Sequence, residues 1–476
     1  MRSATPLFAL AVVVPALAVS AVAAHAQTRI PDAALAQTPA LREQALASPL
    51  GYDIVTSLTT EVGPRLAGSD ADARAVTWAV AKFKALGYDR VWTEPVTFPA
   101  WQRRSERAEV LGASSQPLTI AALGGSPGGT VEAEVVRFAD LAALKAAPDG
   151  SLAGKIAFVD YSMQRARDGN DYRNGSAIRS GGPSAAIAKG AIGFLMRSAG
   201  TGSHRVPHTG VTRYAEGLTP IPAAALSVPD AQQLARLAAR GTTRVRLALD
   251  CGWDGTYTSQ NVIGEITGTQ KVAKGTMREV VLIGGHLDSW DLGTGAVDDG
   301  AGVAITMAAG ALIKPLKPRR SIRVVAFANE EQGLYGGNAY RDRYLGEVAR
   351  HVIAAESDFG AGRVYGFDSS ASAAAQPAIM QIAQALAPLG IEHLPGKGDP
   401  GPDIGPLAAR GMAWGWLAQD GSDYFDLHHT ADDTLDKIDP KALAQNVAAY
   451  AVFAWLAAQA DGDFGSALKD APAQTR

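Results

Sequence analysis

The chain has 476 residues, with 44 Lys and Arg against 47 Asp and Glu, and a formal net charge of −3. This balance gives no electrostatic basis for binding nucleic acid. Hydrophobic residues make up 47% and charged residues 19%, a composition that excludes a disordered chain. The single cysteine, Cys251, excludes an intrachain disulfide. No histidine or basic residue stands beside it, so we interpret it as a structural thiol rather than a nucleophile.

The first 26 residues have the features of a signal peptide. Arg2 is followed by an apolar run over residues 7–19, and Ala24-His25-Ala26 is a small-x-small cleavage site. The run is shorter than the roughly 20 residues that a spanning helix needs. Cleavage of residues 1–26 is therefore favoured over their retention as a membrane anchor. We expect no membrane insertion of the rest of the chain. We expect an exported protein, periplasmic or secreted, whose net charge is −4 (−3 − 1) once Arg2 is removed.

The residues that remain after cleavage are more than a single hydrophobic core usually supports, which predicts more than one domain. Residues 27–111 contain a predicted helix over 71–86, closed by Gly87, and a strand over 89–98. Residues 112–255 are rich in Gly, Ser and Pro. In this segment, apolar runs over 155–159, 192–196 and 223–228 are separated by helical stretches over 184–189 and 229–240. We predict that residues 112–255 form a small inserted βαβ-type domain.

Residues 256–476 have the pattern of an α/β domain. Four apolar runs of strand length, at 280–283, 322–328, 351–355 and 412–417, alternate with helical segments. The predicted helices include residues 300–313 and a last helix over 440–458 that begins with the cap Asp439 and Pro440. Strands buried on both faces predict a mainly parallel, mixed sheet flanked by helices. The residues that carry chemistry should then lie beyond the carboxyl ends of the strands.

Acidic residues and histidines follow each of these strands. His286 and Asp288 alternate after the first strand, so their side chains should share one face. Taken singly, every such residue also has a structural explanation; Asp298 or Asp299, for example, can simply cap the next helix. Together they supply two histidines, three carboxylates and a spare Glu, which is a ligand inventory for two divalent ions. Histidine and carboxylate ligands without thiolate suit zinc, with manganese or cobalt as alternatives.

These motifs resemble those of the co-catalytic zinc peptidases of clan MH, the zinc aminopeptidase and glutamate carboxypeptidase family. The resemblance covers most of the mature chain, and the 112–255 segment looks like the family's protease-associated domain. The motifs that carry it are residues 63–69, Gly284-Gly285-His286-Leu287-Asp288-Ser289-Trp290-Asp291, Gly295-Ala296-Val297-Asp298-Asp299-Gly300, Asn329-Glu330-Glu331-Gln332-Gly333, Glu356-Ser357-Asp358 and His428-His429-Thr430.

The resemblance implies a role for each motif residue and two Zn²⁺ per chain. One zinc would be held by His286 and Asp358 and the other by Glu331 and His429, with Asp298 bridging both. Glu330 would be the general base, and Asp288 would orient His286. His428 would stand next to a ligand without being one, although its adjacency to His429 leaves the alternative open. The peptide bond between Asp298 and Asp299 is expected to be cis.

The resemblance also implies the activity, which is hydrolysis of dipeptides or short peptides with a free N terminus near the zinc pair, by a homodimeric enzyme. Tyr424 is a candidate donor to the developing oxyanion, and His208 is a candidate contact for a substrate carboxylate. Both also have a structural explanation, as a packed loop aromatic and a loop histidine. The alternatives are a glutaminyl cyclase-like acyltransferase, a noncatalytic binding domain on the same scaffold, and a site that holds one zinc.

Overall fold

The computed structural model describes residues 27–113, 115–273 and 276–469, and the predicted signal peptide lies outside them. The α-helices are α1 (Asp32–Ala47), α2 (Leu50–Glu61), α3 (Asp70–Ala85), α4 (Leu141–Ala146), α5 (Tyr172–Ala188), α6 (Val228–Ala238), α7 (Ala301–Ile313), α8 (Tyr335–Tyr344), α9 (Gln376–Leu386), α10 (Gly405–Ala408), α11 (Tyr424–Leu427) and α12 (Pro440–Gln459). The strands are β1 (Arg90–Val110), β2 (Gln116–Leu118), β3 (Ile120–Ala122), β4 (Gly129–Phe138), β5 (Ile156–Val159), β6 (Gly193–Arg197), β7 (Ala223–Leu226), β8 (Arg244–Ile266), β9 (Val280–His286), β10 (Ser321–Phe327), β11 (His351–Glu356), β12 (Val364–Ser369), β13 (Glu392–His393) and β14 (Gly415–Gln419).

One large sheet has the strand order β11-β9-β10-β8-β4-β5-β6-β7-β3, and β1 pairs with β8 beside it. Strand β9 lies between β10 and β11 and is parallel to both. All residues of these three strands are buried, as the continuous apolar runs predicted. The sheet as a whole is mixed rather than mainly parallel, because β8 runs antiparallel to β1, β4 and β10.

The predicted fourth strand lies elsewhere. Residues 415–419 form β14 in a separate three-stranded sheet with the order β13-β12-β14. A single bridge between Ala354 and Trp414 connects this small sheet to the edge strand β11. Sequence reasoning had placed residues 412–417 in the main sheet, because an apolar run shows that a strand is buried but not which partner it has.

Strands β1 and β8 form a long antiparallel ribbon that joins the two halves of the sheet. The sequence predicted a strand that ends at residue 98, but β1 continues to Val110 with register shifts near Pro99 and Arg103. Strand β8 passes through residue 255 without a break, so the expected boundary of the inserted segment falls inside a strand. The strands β3 to β7 extend the sheet beyond this ribbon. Cys251 lies in β8 and is buried, and burial raises the pKa of its thiol to about 11.

The core on one face of the sheet is built around α7 and α12. Helix α12 begins at Pro440, and the Asp439 side chain accepts a hydrogen bond from the Lys441 backbone N–H. Almost every residue of α7 is buried between the sheet and the helices α2 and α12. The segment Ala296–Leu316 is long and apolar enough to cross a membrane, but 94% of its apolar stretch is buried inside the protein, as in a core helix.

Candidate metal centre

The loops that follow three adjacent strands bring the predicted site residues together. Strand β9 ends at His286, β10 is followed by Glu330 and Glu331, and β11 is followed by Asp358. Because β9, β10 and β11 are parallel neighbours, their carboxyl ends meet at one edge of the sheet. The expectation that these side chains share one site therefore follows directly from the strand order.

Asp298 lies at the centre of the cluster, and its two carboxylate oxygens face two different groups of ligands. Its Oδ1 lies 3.0 Å from His286 Nε2, and Asp358 Oδ1 lies 3.5 Å from the same nitrogen. Its Oδ2 lies 3.2 Å from His429 Nε2, which is 2.8 Å from Glu331 Oε2. Two triads thus share a single carboxylate, the arrangement that a bridging ligand between two metal ions requires.

The Asp298–Asp299 peptide bond is cis, as the resemblance implied. Asp299 lies beside His286 and Asp358 but is engaged by the backbone. Its carboxylate accepts hydrogen bonds from the backbone N–H groups of His286, at 3.0 Å, and Gly302, at 3.1 Å. The two adjacent aspartates therefore differ in role: Asp299 joins β9 to the start of α7, and Asp298 is left to face the site.

Asp288 and Asp433 hold the ligand loops through backbone hydrogen bonds. Asp288 accepts from the backbone N–H groups of Glu330, at 3.0 Å, and Glu331, at 3.4 Å, and its Oδ1 lies 3.5 Å from His286 Nδ1. Asp433 accepts from Val297 N–H, at 2.6 Å, and from Asp298 N–H, at 3.2 Å. The sequence gives no indication of this role for Asp433, because an aspartate 135 residues further along the chain than Asp298 carries no local signal of the contact.

Both His428 and His429 are buried beside Asp298. Their rings stack with centroids 3.5 Å apart, but His428 Nε2 lies 3.5 Å from Asp298 Oδ2 and does not take part in the contact to Glu331. His429 has a positive φ of 60°, a conformation that turns its ring toward Glu331 and Asp298. The geometry favours His429 as the ligand, in agreement with the resemblance.

We expect His429→Ala to lose about one metal ion per chain and at least 100-fold in metal affinity at that position, because a direct ligand is removed. His428→Ala should retain the full metal content, since it removes only a ring that packs against the ligand. Metal per chain, measured by inductively coupled plasma mass spectrometry after dialysis, distinguishes the two. Loss of metal in His428→Ala but not in His429→Ala would reverse the assignment.

Arg65 fixes the loops beneath the cluster, a role that the sequence did not reveal. The side chain is fully buried, and its guanidinium donates to the carbonyl oxygens of Leu287, Thr294, at 2.8 Å, and Gly295, at 2.9 Å. Burial lowers the pKa of Arg65, and the nearby carboxylate of Asp433 opposes that shift. The sequence feature that could have indicated this role is the position of Arg65 inside the Gly-Pro loop at residues 63–69.

We expect Arg65→Met to destabilise the protein by about 3 kcal/mol or more, because three buried carbonyl groups lose a charged donor. The free energy of unfolding in urea measures this loss. The control is Arg90→Met, since Arg90 pairs with Glu265 at 3.2 Å from a largely exposed position. That surface pair should contribute no more than about 1 kcal/mol. Equal losses in the two variants would contradict the role of Arg65.

The charge balance of the cluster is consistent with bound cations. Burial raises the pKa of Glu330 well above its usual range, and the carboxylates of Asp358 and Glu331 add to this effect against the opposition of His286. Glu331 Oε1 is buried and has no hydrogen-bond partner among the described residues. Buried carboxylates in this number are costly unless cations compensate them. The donors therefore fit divalent ions bound by oxygen and imidazole nitrogen.

The metal-free protein should lose stability as the pH rises from 7 to 9. Burial alone would lower the pKa of His429, but the carboxylates of Glu331 and Asp298 outweigh it and raise the pKa to about 9. The stability that this group contributes is therefore fully present below its unfolded pKa of roughly 6.5 and is lost as the pH rises through about 9. His286 shifts in the same direction, for the same reason.

The expected loss is about 2 kcal/mol in the chelated protein, since one pKa unit corresponds to about 1.36 kcal/mol. Urea unfolding at the two pH values measures it. The metal-loaded protein is the control, because a histidine that binds metal is neutral throughout this range. If chelated and loaded protein showed the same change in stability between pH 7 and 9, the assignment of these charges would be wrong.

A cavity of about 500 Å³ opens onto the cluster. Glu330, Glu331, Asp298 and Tyr424 line it, and the Tyr424 hydroxyl makes no hydrogen bond to any described residue. His208 does not line the cavity: it is buried, and burial lowers the pKa of its imidazole to about 3. Of the two predicted substrate contacts, the structure brings only Tyr424 to the cavity.

A helix-covered sheet whose strand ends carry two histidine–carboxylate triads around one shared aspartate is the arrangement of a metal-dependent hydrolase. The sequence profile of peptidase family M28 matches residues 261–454. Carboxypeptidase Q of Bos taurus is 33% identical over 415 residues, which cover 86% of this chain and 85% of that protein. The chain therefore belongs to peptidase family M28, which confirms the resemblance seen in the sequence.

The similarity extends to solved structures. The crystal structure of a Peptidase M28 precursor from Shewanella amazonensis SB2B superposes with a TM-score of 0.88 and is 49% identical, covering 93% of this chain and 100% of that one. BSAP, a zinc aminopeptidase from Bacillus subtilis, has a TM-score of 0.58 and 19% identity, covering 85% and 94%. At that identity the second comparison supports the fold alone.

Proposed function

We propose that this protein is an exported di-zinc exopeptidase that hydrolyses dipeptides or short peptides with free termini. The observation that carries the proposal is the pair of triads that share Asp298 at the base of the cavity, with Glu330 beside them. His286 and Asp358 would hold one ion, and Glu331 and His429 the other. The similarity to carboxypeptidase Q and the match to peptidase family M28 support the reaction class, and the cluster of histidine and carboxylate donors supports the metal.

Zinc, when bound, supplies Lewis acidity that acidifies water and stabilises negative charge on a carbonyl oxygen. Glu330 accepts a proton from the attacking water as the water oxygen bonds to the scissile carbonyl carbon. The same carboxyl group then donates that proton to the departing amine as the C–N bond breaks. The Tyr424 hydroxyl, free of other described partners, donates a hydrogen bond to the carbonyl oxygen as its charge grows.

Asp288 supports this chemistry without touching substrate. Its carboxylate fixes the backbone of Glu330 and Glu331 and lies beside His286 Nδ1. The Asp288 backbone carbonyl oxygen lies closer to His286 Nδ1, at 3.0 Å, and an acceptor in this position sets the tautomer of a metal-binding imidazole, so that Nε2 keeps its lone pair for the ion. Asp288 thereby orients the base and a ligand from each triad together.

The size of the cavity supports a small substrate. A volume of about 500 Å³ accommodates a dipeptide or slightly longer peptide, and residues of the segments 168–213 and 356–429 line it. The segment 112–255, proposed as an inserted protease-associated-like domain, includes the first of these segments.

Export and homodimerisation complete the proposal. Export is supported by the sequence of residues 1–26, which predicts a cleaved signal peptide. Fractionation of cells that express the full chain, followed by N-terminal sequencing, tests it, with a mature start near Gln27 as the expected result. Light scattering of the purified protein tests the homodimer that the family resemblance implies.

The experiment that tests the function is a hydrolysis assay on a panel of unblocked dipeptides, with zinc present and after chelation. Zinc-dependent cleavage, with two ions per chain, is the expected result. One ion per chain in active protein would establish the monozinc alternative. Release of ammonia from N-terminal Gln without peptide cleavage would instead identify a glutaminyl cyclase-like enzyme. Failure of folded, zinc-loaded protein to turn over either substrate would leave a noncatalytic binding domain.

A further inference from the structure

A second cavity, of about 510 Å³, adjoins the catalytic one. Val211 and Arg213 line both cavities. Gln332 lines the second cavity and directly follows the candidate ligand Glu331 in the chain. We call this second cavity the side groove. It lies within reach of a substrate that extends beyond the metal cluster.

The lining of the side groove is aromatic and apolar. Trp253 is 53% exposed and is the only aromatic among the large apolar side chains that are well exposed in the described ranges. Its ring packs on Gly125, where an added Cβ would meet Trp253 Cζ2 at 3.4 Å. Three prolines and two tyrosines also line the groove: Pro99, Pro127, Pro220, Tyr214 and Tyr335. Such a surface stabilises an apolar side chain of a ligand by removing it from water.

Gln332 adds an unsatisfied amide to this lining. The residue is 5% exposed, and neither Oε1 nor Nε2 of its side chain has a hydrogen-bond partner among the described residues. A buried amide without partners is costly, so a ligand that supplies them gains affinity. A peptide group offers one N–H donor and one C=O acceptor, which are the two partners that this carboxamide lacks. The side groove therefore favours a ligand with a peptide backbone.

The position of the groove indicates which part of a peptide would occupy it. In the proposed function the free N terminus lies near the metal pair, so residues beyond the scissile bond extend away from the metals. The catalytic cavity accommodates little more than a dipeptide, and the following residues need a second surface. Another neighbouring cavity, which shares Phe359 and Tyr424 with the catalytic one, is lined by seven charged side chains and suits an apolar segment less well.

We propose that the side groove binds the residues of a peptide substrate that follow the dipeptide at the metal centre, and that it selects an aromatic or large aliphatic side chain there. The inference rests on the proposed peptidase function and extends its substrate class to peptides longer than two residues. The Trp253 ring covers the apolar side chain. The Gln332 carboxamide donates to a carbonyl oxygen of the same segment and accepts from its N–H.

The test compares the tetrapeptides Ala-Ala-Phe-Gly and Ala-Ala-Gly-Gly, with dialanine as the reference, by the initial rate of cleavage of the first peptide bond. Zinc-loaded wild-type enzyme should prefer the peptide with Phe by about 10-fold in kcat/KM, as expected from burial of one aromatic side chain. The difference should appear in KM, because the groove contacts no reacting atom. Trp253→Ala should lose the preference and retain dialanine turnover, since Trp253 lines only the side groove.

Two further variants control this result. Gln332→Met keeps the length of the side chain without its amide, so it should raise KM for both tetrapeptides by about 10-fold relative to dialanine. Metal content measured on the same sample should stay at the wild-type value. Met380→Ala is the matched surface control, because Met380 lies in α9, is 43% exposed and lines neither cavity. It should retain the preference, and thermal unfolding midpoints check that all three variants are folded.

The proposal is overturned if wild-type enzyme cleaves the two tetrapeptides equally well, or if Trp253→Ala keeps the preference. A parallel fall for all three substrates in Trp253→Ala would indicate a structural role and would also overturn it. Loss of a dimer in that variant, measured by light scattering, would instead identify the groove as an interface between copies of this chain. Absence of dialanine cleavage by the wild type would refute the peptidase function itself, whereas dialanine cleavage without a tetrapeptide preference would refute only the role of the groove.

Discussion

Glu330→Gln is expected to lower kcat by about 10³-fold while the protein keeps its metal ions. Glutamine is nearly isosteric with glutamate but cannot accept the proton of the attacking water, and general-base catalysis contributes about 10²–10⁴-fold. Glu330 lines the cavity, and the Asp288 carboxylate holds its backbone N–H at 3.0 Å, so the substitution should leave the loop in place. Steady-state hydrolysis of a dipeptide, with metal content measured on the same sample, checks both parts of the expectation.

Two controls sharpen this result. Glu392→Gln, at an exposed position of β13, should retain wild-type kcat. Glu331→Gln should lower metal content as well as activity, because Glu331 lies 2.8 Å from His429 Nε2 within a triad. A fall of less than about tenfold in kcat for metal-loaded Glu330→Gln would refute its role, given the range typical of such bases.

Asp298→Ala is expected to reduce activity to below about 1% of wild type and to release at least one metal ion per chain. Its two oxygens are the groups that connect the triads, at 3.0 Å from His286 Nε2 and 3.2 Å from His429 Nε2. A two-metal centre depends on such a shared carboxylate to hold its ions together. Metal content, dipeptide hydrolysis and thermal stability measured on one preparation test the expectation.

The fall in stability distinguishes metal loss from misfolding. Asp298→Ala should resemble the chelated wild-type protein in its unfolding midpoint, and adding zinc should stabilise the wild type but not the variant. Asp250→Ala is the control, because Asp250 is well exposed and forms a surface ion pair with Arg104. A variant that keeps two ions per chain and full turnover would show that Asp298 does not bridge.

Much of the candidate centre was predictable from sequence because His286, Glu331 and Asp358 stand at or just after the ends of apolar strands. The sequence predicts His286, Asp298, Glu331, Asp358 and His429 as ligands, and all five lie in one cluster. Their grouping depends on parallel neighbours whose ends meet at one edge. The choice of Asp298 over Asp299, and of His429 over His428, came from the resemblance alone, since adjacent residues of the same type present the same local pattern.

The groups that hold or extend the site were not predictable in this way. Arg65 and Asp433 act through backbone atoms far away in sequence. The extent of β1 was missed for a related reason. Residues 102–105 are polar and break the apolar alternation, but pairing with β8 satisfies their backbone regardless.

The sequence by itself determined the class of fold, the buried strands and the donor set of the centre, because hydrophobic periodicity and residue chemistry are local properties. Only the tertiary structure decided which oxygen of Asp298 faces which histidine. It also decided that β14 joins a separate sheet. These features depend on which side chains meet across long separations in the chain, and that is settled by packing and by the need to satisfy every buried polar group.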